Sequence, residues 1–99
     1  SAHLERAKMF ATKFDQANLQ SANLEDADAE TASFSSANMT KAVLDDAMLR
    51  EADFSGSDLT KASLRNANID DAIFDEAILS DTIWIQYQRC RPGSIGECR

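Results

Sequence analysis

Few residues of this chain could do chemistry on a substrate. There is one histidine, His3. No other imidazole exists to serve a serine or cysteine nucleophile, and His3 reads most plainly as an exposed residue. The glycines Gly56, Gly93 and Gly96 stand apart, so no glycine-rich loop cradles a phosphate. Seventeen carboxylates are spread along the chain, but carboxylates stacked on a surface are solvated rather than tuned as an acid/base pair. No EF-hand spacing gathers them around calcium. Cys90 and Cys98, eight positions apart, lack a histidine partner and make a poor zinc site; they read as free thiols or as a disulfide. The expectation is a protein that is no enzyme and takes no cofactor or metal.

The elements that position these residues follow from a repeat. The chain has 99 residues and a net charge of −7, one domain's worth at most. With three glycines and one proline it is neither collagen-like nor a Pro/Gly-rich disordered segment. Two cysteines are too few for a small secreted disulfide scaffold. No apolar run approaches the roughly 18 residues of a membrane span. The acidic balance argues against direct nucleic-acid binding.

Every fifth residue from Leu4 to Trp84 is apolar, and only Ala29 among those seventeen is small. The position two before each is alanine in fourteen of seventeen cases, the exceptions being Thr12, Ser57 and Thr82. In an α-helix a step of five rotates about 140° and leaves no buried stripe. In a continuous strand an odd step flips faces. A short extended piece followed by a bend satisfies the pattern, because each bend returns the next apolar pair to the inside. The chain then winds into a β-solenoid.

Phenylalanine occupies positions 14, 34, 54 and 74, a step of 20. Four units per coil therefore stack Phe14, Phe34, Phe54 and Phe74 in one column. Leu4, Leu24, Leu44, Leu64 and Trp84 fill a second. Leu19, Met39, Leu59 and Leu79 fill a third, and Met9, Ala29, Leu49 and Ile69 the fourth. Such nearest-neighbour stacking is what a solenoid interior favours. About four coils spaced by the strand-pairing distance of roughly 4.8 Å make a rod about 20 Å long. A square coil has little interior volume, so each large residue shares its face with an alanine.

The units Ala17-Asn18-Leu19, Ala22-Asn23-Leu24, Ala37-Asn38-Met39, Ala52-Asp53-Phe54 and Ala67-Asn68-Ile69 resemble the pentapeptide repeat family. Its motif is Ala, then Asp or Asn, then Leu or Phe, then two variable residues. The resemblance implies an all-β fold, a right-handed quadrilateral β-helix. The position before the centre departs from Asp or Asn at several units, among them His3, Lys8, Lys13, Val43, Met48, Ile73, Ile78 and Ile83. The β-helix is assigned to residues 1–84 and a capping tail to 85–99. In the tail, residues 86–90 are expected to form a short helical turn, with Trp84 and Tyr87 plugging the core, and Arg91-Pro92-Gly93 a turn. The preferred state of Cys90 and Cys98 is a disulfide closing a nine-residue loop. A disulfide-clipped cap resembles cyanobacterial and chloroplast lumenal members of the family. It implies the periplasm or thylakoid lumen, with the cytoplasm as the alternative. At the other end Ser1-Ala2-His3-Leu4 enters the repeat at once, so that end is expected to be trimmed or to stack on another molecule.

Residues 1–82 carry a net charge of −9 and the tail +2. Glu25, Asp26, Asp45 and Asp46 fall on one face in adjacent coils; Asp70, Asp71, Asp75 and Glu76 cluster at the far end. The plainer reading is solubility. The sharper one, implied by the resemblance to family members that protect DNA gyrase, is a surface imitating the charge of DNA. Ile73, Ile78 and Ile83 occupy normally outward positions in the last coil, Val43 and Met48 form a smaller pair, and Phe10 is similar near the start. The tail is expected to fold over the isoleucines, with a dimer or partner interface as the alternative. The function expected is a non-catalytic scaffold or protein-interaction module of unknown partner, with a possible homodimer through a solenoid end. The alternative is a DNA-mimicking regulator of gyrase or another DNA-binding protein.

Overall fold

The structure, a computed structural model, describes residues 3–99. Ser1 and Ala2, with which the repeat pattern opens, lie outside the described residues. Each five-residue unit is a short extended segment closed by a tight turn. The carbonyl of the large apolar residue accepts from the amide three residues on, as in Ala27 N to Leu24 O at 3.1 Å and Ala47 N to Leu44 O at 3.1 Å. The residue two past the apolar centre lies at φ between 57° and 63° at fifteen non-glycine positions from Arg6 to Asp81, and at 67° at Gly56. Positive φ at the third residue of a four-residue turn is the type II arrangement. Side chains other than glycine pay roughly 1–2 kcal/mol for it. Hydrogen bonds between layers offset this: the amide of Asp26 donates to Asp45 O at 3.0 Å and that of Asp46 to Arg65 O at 2.8 Å.

The residue before each centre explains the motif. Its side chain points outward and accepts from the amide two residues on, as Asn23 Oδ1 does from Glu25 N (3.0 Å), Asn38 from Thr40 N (3.1 Å) and Asp58 from Thr60 N (3.0 Å). An Asn or Asp there satisfies a backbone donor that faces solvent. Ile73, Ile78 and Ile83 have no such acceptor to offer.

Four turns make a square coil, and coils stack in parallel with a constant step of 20, from His3 opposite Asn23 to Ser63 opposite Ile83. The constant step puts like on like. The rings of Phe14, Phe34, Phe54 and Phe74 stack at centroid distances of 5.2, 5.0 and 5.0 Å with interplanar angles of 8° or less. Phe34, Phe54, Leu24, Leu44 and Leu64 are fully buried; Phe14, in the first coil, is half-buried. The alanines from Ala22 to Ala62 lie inside with them. Ser57 and Thr82, which replace alanine, are also buried, and their hydroxyls donate to Phe54 O and Leu59 O at 2.8 and 2.7 Å. Among the described residues no buried side-chain polar atom lacks a partner.

The end of the solenoid departs from expectation. Residues 86–90 form no helical turn. The chain reverses in a hairpin: the amide of Tyr87 donates to Trp84 O (3.0 Å), that of Trp84 to Gln88 O (2.7 Å), and Ile83 pairs antiparallel with Arg89. Tyr87 takes the left-handed conformation, φ 70°, in place of Gln86. This is a three-residue hairpin loop whose last residue is left-handed. Trp84 does sit on the core, edge-on to Phe74 at 5.2 Å. Tyr87 does not: it is 59% exposed, and its hydroxyl bonds Asn66 Nδ2 at 2.6 Å. The tail then crosses to the neighbouring face, where Ile78 pairs antiparallel with Ile95. Cys90, fully buried, is joined to Cys98. The molecule measures 31 × 26 × 23 Å.

Candidate interaction surface

The four faces of the coil present outward columns, and function must be sought there because the inward columns are closed. Call the face bearing Leu24 the first, that bearing Leu49 the second, that bearing Phe54 the third and that bearing Leu59 the fourth. Glu25, Asp26, Asp45 and Asp46 form the corner between the first and second faces in two adjacent layers. Glu25, Asp26 and Asp46 are exposed. Asp45 is engaged: its carboxylate accepts from Ser63 Oγ and from Arg65 N (3.3 Å), and it pairs with Arg65 Nη1 at 3.6 Å. Arg6 stands beside Glu5 in the layer below and Arg65 in the layer above, so arginines interrupt the acidic corner and it is not a continuous stripe.

The isoleucines lie on three successive faces of the last coil. Ile83 is half-buried on the first, Ile78 is exposed on the fourth, and Ile73 is 43% exposed on the third. The tail does not fold over them. It extends the sheet sideways by one strand, so Ile78 gains Ile95 as an edge neighbour and both stay exposed. Ile73 receives no tail residue at all. This Ile78–Ile95 pair escapes sequence reasoning, because the register of the tail depends on where the hairpin turns. The Asp45–Arg65 pair was within reach, since the two residues are one coil of 20 apart.

His3 pairs with Glu5 at 3.6 Å on the exposed first layer. Among the described residues no three or more His, Cys, Asp or Glu side chains gather as a metal would require. No described helix is long and apolar enough to cross a membrane. Phe10 and Met48 are exposed singly, which is ordinary for surface apolar residues.

Comparison with known proteins agrees with this geometry. A family model described as a pentapeptide repeat region matches residues 1–87. A pentapeptide repeat protein from the Arabidopsis thaliana thylakoid lumen superposes with a TM-score of 0.67 at 23% identity, over 97% of this chain and 79% of that one. HetL, a pentapeptide repeat protein involved in heterocyst differentiation regulation in a Nostoc cyanobacterium, superposes with a TM-score of 0.45 at 18% identity, over 89% of this chain and 66% of its own. No curated protein matches the chain. The solenoid is a right-handed quadrilateral β-helix, a repeat scaffold. The chain belongs to the pentapeptide repeat family.

Proposed function

We propose that this chain is a scaffold that binds another protein through the outward columns of its β-helix. The observation that carries this reading is the division of labour along the repeat. Inward positions are uniform and closed, whereas the outward positions hold all the charge and all the irregular apolar residues. The exposed carboxylates of Glu25, Asp26 and Asp46 offer a compact negative surface to a basic partner. Triple charge reversal of these residues to lysine leaves the core untouched. Crosslinking in the native host, wild type against variant, tests the reading. The same partner lost from the variant supports it; an identical crosslink pattern refutes this surface.

The disulfide between a buried and a half-buried cysteine supports an oxidising compartment, the periplasm or thylakoid lumen. Mass after thiol alkylation of native material decides this: two alkylated cysteines without prior reduction would place the protein in a reducing compartment. A DNA mimic acting in the cytoplasm is the second reading, drawn from the acidic balance. The arginines interrupting the corner and a longest dimension of 31 Å, about one turn of duplex, weigh against it. A supercoiling assay with gyrase tests it, and no inhibition or protection at micromolar protein dismisses it.

A further inference from the structure

The C-terminal tail caps only half of the last coil. On the first and fourth faces the amides of Trp84, Asp81 and Leu79 donate to tail carbonyls of Gln88, Cys90 and Ser94 at 2.7, 3.0 and 2.8 Å. On the second and third faces the equivalent amides, those of Ile69, Asp71, Phe74 and Glu76, donate to no backbone carbonyl among the described residues. The carbonyls of Ala67 and Ala72 accept from no backbone amide either. One layer below, every counterpart is paired: Leu49 N to Asn68 O (2.8 Å), Phe54 N to Ile73 O (2.7 Å), and Ile73 N to Ala52 O (2.9 Å). The result is a step one strand deep, about 4.8 Å, walled by the tail. Ile69 and Ala72 are half-buried at this step, and Ile73 stands exposed beside them. Asp70, Asp71, Asp75 and Glu76 are all exposed along it, and none is in an ion pair among the described residues.

We propose that this edge, residues 67–76, docks a single segment of a partner protein by strand addition, and that the segment follows both faces with a bend between them, its apolar residues inward and lysine or arginine at its bends. The proposal rests on the reading of the chain as an interaction scaffold and names the partner's chemistry. Unpaired amides and carbonyls supply the backbone ladder. Half-buried Ile69 and Ala72 supply an apolar floor, and four carboxylates select a basic strand. Two copies of this chain cannot share the edge, because pairing it with itself sets eight carboxylates side by side. A second β-helix cannot seat flat on it, since the tail strands rise on the other two faces. A lone strand meets neither obstacle.

The probe is a ten-residue peptide made of two copies of Ala-Thr-Leu-Lys-Lys, which continues the repeat with basic turns. A control carries proline at both threonines, removing the two amides that would reach Ala67 O and Ala72 O. Binding is read by NMR and by amide exchange of the intact protein. The first peptide should bind, weaken as salt rises, and slow exchange at Ile69, Asp71, Phe74 and Glu76. The proline control should bind about tenfold more weakly or worse. Reversal at Asp71→Lys with Glu76→Lys should abolish binding, and Ile73→Lys, an outward change that cannot disturb the core, should weaken it at least severalfold. Equal binding of the proline control, unchanged exchange at the four amides, or self-association of the protein through this edge would each overturn the proposal. Loss of a partner on charge reversal of Glu25, Asp26 and Asp46 would still leave the scaffold reading standing, so the two failures are distinguishable.

Discussion

Replacing Phe54 by leucine interrupts the phenylalanine column at its middle. Phe54 is fully buried and stacks on Phe34 and Phe74, both at 5.0 Å. Each aromatic pair contributes about 0.5–1.5 kcal/mol beyond the area it buries, so two lost pairs cost about 1–3 kcal/mol. The change of shape in a packed core adds about 1 kcal/mol. The sum, about 2–4 kcal/mol, is a large share of the roughly 5–15 kcal/mol that holds a domain of this size together. Phe14 provides the internal control. It has one partner, Phe34 at 5.2 Å, and is half-buried, so Phe14→Leu should cost about 0.5–1.5 kcal/mol. Urea denaturation of both variants, analysed by linear extrapolation, reads the difference directly. The difference should be at least about 1 kcal/mol, equivalent to several degrees in Tm. Equal costs at the two positions would refute the reasoning, because stacking on both sides would then carry no weight.

Other perturbations follow from the same geometry. Ala47, buried inside the coil, should not tolerate leucine, and a melt of Ala47→Leu should show a loss of about 1–3 kcal/mol or more. Gly56→Ala should lose about 1 kcal/mol in the same assay. An added Cβ meets only Ser36 Oγ at 3.4 Å, but φ 67° lies in the left-handed region, whose strain of roughly 1–2 kcal/mol exceeds the about 0.4–1 kcal/mol gained from lost freedom in the unfolded chain. Reduction of Cys90–Cys98 should lower stability by about 2–3 kcal/mol for a loop of eight-residue separation. Amide exchange should quicken first at Leu79 and Asp81, whose acceptors are tail carbonyls. Asp45→Ala should cost about 1 kcal/mol in urea denaturation, because it leaves Ser63 Oγ and Arg65 without their carboxylate.

The repeat was legible because every signal in it is local or strictly periodic. The apolar step of five fixed the turn, and the phenylalanine step of 20 fixed the number of sides. What was not legible lies where the period stops. The hairpin at 84–88 carries no glycine or asparagine at its left-handed residue, which is Tyr87; a helical turn was therefore the reasonable reading of those residues. Pairing of Ile78 with Ile95 and of Ile83 with Arg89 is decided by that hairpin and by the sheet edge it meets, both tertiary. The pairing at the acidic corner was not read from the sequence, although Arg65 stands one coil above Asp45 and neutralises part of it. The half-covered last coil is likewise invisible until the tail's path is known.

A pair of deletions tests the central claim, a square coil of 20 residues, most directly. Removing residues 27–46 takes out one whole coil, keeps every later residue on its own face and sets Phe54 on Phe14. Removing residues 27–31 takes out one unit, preserves the motif throughout, but shifts all later residues by one face and parts Phe14 from the other three phenylalanines. The account predicts a cooperative melt for the first protein and a broad or absent one for the second, although the second loses fewer residues. A five-residue deletion that melts as cooperatively as the twenty-residue deletion, and at no lower temperature, would contradict it.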